Sequence, residues 1–78
     1  MNRPALQLIT EARTAARNGR ARHLRETAGL TQDQIAATIG VTQQAVHMWE
    51  TGQRLPRGDH AAAYGRLLRR LAWWTIHS

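Results

Sequence analysis

The stretch TQDQIAATIGVTQQAVHMWE, residues 31–50, leaves this chain little freedom in how it can fold. Thr31 is a good helix N-cap, and Gln34 stands three residues later to complete a capping box. Ile35, Ala36 and Ile39 then recur at helical spacing. Gly40 falls where that helix must stop, in the left-handed backbone conformation that glycine adopts without a Cβ penalty. Val41 is apolar and Thr42 can cap a second helix. On that helix Val46 and Trp49 face one way, while Gln43, Gln44, His47 and Met48 face the other. So short a connection forces the two helices to cross sharply, and small Ala36 leaves room at the crossing.

Two short helices joined in this way form a helix-turn-helix, whose second helix can enter the major groove of DNA. The lead-in Leu24-Arg25-Glu26-Thr27-Ala28-Gly29-Leu30-Thr31-Gln32 and the trailing Trp49-Glu50-Thr51-Gly52-Gln53-Arg54 extend the pattern. Over residues 22–71 the chain resembles the Cro/C1-type helix-turn-helix family of phage and bacterial transcription regulators. The Thr42-Gln43-Gln44 start of the second helix is similar to that of certain lambdoid phage repressors. The resemblance implies an all-α, lambda-repressor-like DNA-binding domain. It also implies an internal ion pair between Arg25 and Glu50, a core role for Trp49, a phosphate held by Gln32, and binding as dimers to paired half-sites. Two features depart from the family pattern: residues 1–18 precede its usual start, and Trp73-Trp74 is not part of it.

Composition narrows the function classes. The chain's 78 residues suffice for one domain with one small core, spanning 1–78. Without cysteine there is no disulfide and no thiolate metal site. His23, His47, His60 and His77 lack ligand spacing, so neither metal nor cofactor is expected. No long apolar run or signal-like start is present, and a soluble cytoplasmic protein of bacterial or phage type, associated with the nucleoid and not the membrane, is the expectation. No nucleophile and base stand together, so an enzyme is not expected.

The net charge of +6 points to an anionic partner, most simply double-stranded DNA. All basic charge is arginine. It sits on either side of the central motif, at Arg3, Arg13, Arg17, Arg20, Arg22 and Arg25 before it and at Arg54, Arg57, Arg66, Arg69 and Arg70 after it. An uncharged reading head between cationic flanks suits arginines on phosphates and amides on base edges.

Along the chain the periodicity predicts a compact five-helix bundle without strands. An N-terminal extension helix covers about 4–17 within segment 1–18, with Ala5, Leu8, Ile9, Ala12, Ala15 and Ala16 inward, and Asn18-Gly19 breaks it. A second helix covers about 20–28. The helix-turn-helix, residues 31–51, holds helices over 32–39 and 43–51. Pro56 separates the motif from a last helix over 59–75, capped by Asp59, with Tyr64, Leu67, Leu68, Leu71 and Trp74 inward and Trp73 off that stripe.

These placements nominate the site residues. Gln43 and Gln44 open the second motif helix, where an amide can give and take hydrogen bonds with adenine N6 and N7; His47 and Met48 share their face. Gln32 and Thr42 stand at helix starts whose free N–H groups suit phosphates. Arg54 and Arg57 follow the reading helix and are the best phosphate-binding arginines, with Arg22 a further candidate. Arg66, Arg69 and Arg70 read as a solvated helix face. Trp73 and Trp74 are candidate dimer-interface residues, so that segment 71–78 would support self-association, in solution or only on DNA. The function expected is a repressor or Cro-like switch on an inverted-repeat operator. The alternative is an antitoxin that binds a toxin and controls its own promoter.

Overall fold

A computed structural model describes residues 2–77; Met1 and Ser78, at the outer ends of the expected N-terminal extension and self-association segment, lie outside them. Five helices follow one another: α1 Arg3–Asn18, α2 Arg20–Thr27, α3 Gln32–Ile39, α4 Gln43–Thr51 and α5 Gly58–His77. Among the described residues there is no strand. Side-chain caps start three of the helices. Asn2 accepts the Ala5 N–H for α1, and Thr42 accepts the Ala45 N–H for α4. Thr31 and Gln34 exchange bonds at α3, completing the capping box. Gly40 closes α3 at φ 89°, the left-handed geometry the turn requires. Asp59, expected as a cap, lies inside the first turn of α5 instead, because the helix already begins at Gly58.

The core is shared by all five helices. Ala12, Ala15 and Ala16 from α1 and Ala21 and Leu24 from α2 meet Ile35 and Ala36 from α3, Val46 and Trp49 from α4, and Tyr64, Leu68 and Leu71 from α5. Trp49 and Tyr64 pack ring to ring, with centroids 4.9 Å apart. Of the stripe expected on α1, Leu8 is also buried, while Ala5 and Ile9 are half-buried.

Helix α1 lies along α5, and their backbones come into close approach at one point. A Cβ built on Gly65 would stand 2.3 Å from the Leu8 carbonyl oxygen, so only a glycine lets the two backbones meet there. One turn further, Arg69 donates to both oxygens of Glu11, with Nε to Oε1 at 2.7 Å. Arg69 is therefore not a purely solvated residue of α5; it ties that helix to α1.

Trp74 departs from its expected place in the packed stripe. It is 49% exposed, beside Trp73 at 62% and Ile76 at 78%. Periodicity puts Trp74 on the inward side of α5, but burial ends at Leu71 and the half-buried Ala72. The last turns outrun the helices they could pack on.

Candidate nucleic-acid interface

The helix-turn-helix presents a surface whose polar groups are tied into one network. Arg25 on α2 forms a two-pronged ion pair with Glu50 near the end of α4, with Nε to Oε2 at 2.7 Å and NH2 to Oε1 at 3.0 Å. Its remaining NH1 donates to the Leu30 carbonyl at 2.9 Å, fixing the chain just before α3. Gln32 at the start of α3 donates through Nε2 to Glu50 Oε1 at 3.0 Å. The Gln32 Oε1 in turn accepts from Gln43 Nε2 at 2.6 Å. The relay thus runs from α2 through the end of α4 and the start of α3, and returns to the first residue of α4.

The charges in this relay are sheltered. The Glu50 side chain is 2% exposed and that of Arg25 13%. Burial on its own raises the Glu50 carboxyl, but the hydrogen bonds from Arg25 and Gln32, with the nearby guanidinium charges, outweigh it and hold the carboxyl below its ordinary value. The Arg25 guanidinium is raised in turn, chiefly by its hydrogen bonds to Glu50. Burial also pushes up the Tyr64 hydroxyl, packed beneath α4.

The amide of Gln43 gives one of its two hydrogens to Gln32, so its oxygen and its second hydrogen stay available on the exposed side of α4. Gln44 and His47 are exposed beside it. Met48 is half-buried, and its carbonyl accepts the N–H groups of Gln53 and Arg54 at 3.0 and 3.3 Å as the chain leaves α4. At the helix starts, the caps consume the Gln34 and Ala45 N–H groups. The N–H groups of Gln32 and Asp33, and of Gln43 and Gln44, make no intrahelical bond, as at any helix start.

Arg54 and Arg57 stand exposed in the connector between α4 and α5, with no salt bridge among the described residues. Arg22 pairs loosely with Glu26 at 3.6 Å on the exposed face of α2. Trp73 and Trp74 belong to the far end of α5 and share no hydrogen bond with this network. No group of three or more histidine or acidic side chains among the described residues could hold a metal ion. No described helix is long and apolar enough to cross a membrane.

Two features of the site had no clear signal in the sequence. Arg13 on α1 donates through NH1 to the Pro56 carbonyl at 3.2 Å, across 43 positions of chain. The Gln32–Gln43 bond links residues nominated separately, for phosphate and for base; both lie at the starts of crossing helices, which is the signal that could have paired them.

No curated protein and no solved structure matches the chain. A family model described as helix-turn-helix matches residues 22–73, from the second residue beyond the start of α2 to the exposed Trp73 on α5, and covers the whole relay. With that match over most of its length, the chain belongs to the Cro/C1-type helix-turn-helix family of DNA-binding transcription regulators.

Proposed function

We propose that this protein is a sequence-specific repressor or Cro-like switch that reads an inverted-repeat operator in the major groove. The observation that carries the reading is the relay ending on Gln43. An amide whose orientation is set by Gln32 and Glu50 offers one acceptor and one donor outward, the pair that matches adenine N6 and N7. Gln44 and His47 extend the same face, and Met48 can meet a thymine methyl with the part that stays exposed. Gln32 and Thr42, with the free N–H groups beside them, receive phosphates on either side of the groove, and Arg54, Arg57 and Arg22 add charge-based grip. The operator's two-fold symmetry calls for two copies, with half-sites about 10 bp apart, one helical turn.

Selection of bound sites from random duplex DNA at a fixed salt concentration tests this. Inverted repeats with one-turn spacing are expected; single asymmetric sites, or no enrichment at all, would sink the reading. A second reading is favoured by the apolar end of α5, where Trp73, Trp74 and Ile76 are exposed together. In that reading the protein is an antitoxin that covers these residues with a toxin chain and also binds its own promoter. Native mass measurement on protein purified from its host distinguishes the two, since an antitoxin brings a second chain with it.

A further inference from the structure

We infer that Arg13, on a helix outside the segment matched by the family model, is a positioning residue for the connector that presents Arg54 and Arg57. The inference rests on the proposed grip of those two arginines on DNA phosphates. The connector has no secondary structure of its own between Gly52 and Arg57 and is pinned at three places. Its start is held where Met48 accepts the Gln53 and Arg54 N–H groups. Its end is held where Arg57 accepts the Ala61 N–H at 3.0 Å as α5 begins. Its middle is held by Pro56, whose ring is fully buried and whose nitrogen has no hydrogen to donate. The one polar group Pro56 can offer is its carbonyl, and Arg13 takes it at 3.2 Å in a half-buried setting.

This middle pin decides where the arginines point. Arg57 follows Pro56 directly and Arg54 precedes it by two residues, and both side chains are exposed. Rotation of the Pro56 peptide would swing Arg57, which follows it, away from its placement relative to Arg54, whose own N–H is held by Met48. Proline fixes its own φ, so the freedom left at this point is largely its ψ, and the direction of its carbonyl reports that angle. A guanidinium anchored on α1, which is itself locked to α5 at Gly65, holds the carbonyl in place. A helix foreign to the family pattern thereby completes the pre-organisation of the DNA grip, and cations held in place lose less to ordering when they bind.

The test has a protein-only arm and a DNA arm. Arg13→Met keeps the aliphatic stem and removes the donor. In the free protein, trypsin should cleave after Arg54 and Arg57 several-fold faster in Arg13→Met than in the parent, while helix content stays the same. Equal cleavage rates would overturn the positioning role, whatever the protein binds. On a selected operator, Arg13→Met should weaken binding several-fold and reduce the log–log salt slope by about 0.9 for each phosphate no longer gripped. In an Arg54→Ala, Arg57→Ala background the same change should do nothing more. An equal further decrease of slope in that background would mean that Arg13 grips a phosphate itself. Weaker affinity with unchanged slope and a lower melting temperature would mean that it acts only through folding. Either result overturns the inference. If the parent protein selects no DNA, the functional reading fails, and the trypsin arm still decides whether Arg13 holds the connector.

Discussion

The Arg25–Glu50 and Arg69–Glu11 pairs share their chemistry and their two-pronged geometry, with an Nε–carboxylate distance of 2.7 Å in each, but not their surroundings. Glu50 is 2% exposed; Glu11 and Arg69 are each about half exposed, at 49% and 51%. The sheltered pair has little contact with water, and a second hydrogen bond from Gln32 satisfies Glu50 further. The surface pair is screened by solvent and ends at its two members. Burial therefore makes one pair a fastener whose removal strands a charge and disturbs α4, and the other a tie that water can replace.

Removing one partner of each pair is the most direct way to break this comparison. Arg25→Ala leaves Glu50 buried without its cation and should destabilise the fold by about 3–5 kcal/mol. For a domain of this size each kcal/mol corresponds to roughly 4–8 °C in melting temperature, and thermal melts followed by circular dichroism read it directly. A melting temperature equal to that of the parent, with DNA binding abolished, would show instead that Arg25 touches DNA.

The next effect concerns the far end of the relay. Gln43→Ala and Gln44→Ala should each cost roughly 1–3 kcal/mol of discrimination at one or two base pairs per half-site, leaving weak binding at low salt. Repeating the site selection with both variants checks it; an unchanged selected sequence would detach the relay from base reading.

Acid sharpens the contrast further. The Glu50 carboxyl is held below its ordinary value in the folded state, so the unfolded chain takes up this proton first as the pH drops. Its contribution is complete above the unfolded carboxylate value and is lost as the pH falls through that value towards the lower, folded one. Glu11 is lowered too, chiefly by its hydrogen bond to Arg69, but in solvent. Glu50→Gln should therefore flatten the fall in melting temperature between neutral and acid pH more than Glu11→Gln does. Equal flattening would mean that burial does not separate the pairs. The smallest effect is expected from Arg69→Ala, whose melting temperature should match the parent within error; a clear drop would show that the α1–α5 tie matters more than its exposure suggests.

The two pairs also show what a sequence makes legible. Helix positions are readable from 3.6-residue periodicity, and their ends from Asn18-Gly19, Thr31, Gly40, Thr42 and Pro56, because caps and breakers act on neighbours along the chain. Arg25 and Glu50 come through resemblance, 25 positions apart. Glu11 and Arg69, 58 positions apart, and Arg13 and Pro56 have no such route, since periodicity says which side of a helix is apolar and not which helix it will meet. Trp74 shows the same limit from the other side: it lies on the apolar stripe, but no neighbour reaches it. By propensity Gly65 is a weak spot in a helix, and its use becomes visible only with the Leu8 carbonyl against it.

That glycine is where the family-matched part of the chain leans on the helix outside it. The family match begins at residue 22, after α1 has ended, so a fragment cut to the match would keep every nominated DNA-reading residue. It would also bare a strip of α5 where Gly65 offers water an open helical backbone, and would strip Leu8, Ala12, Ala15 and Ala16 from the interior. For anyone dissecting or grafting this regulator, the shared core argues for keeping α1 together with the matched segment.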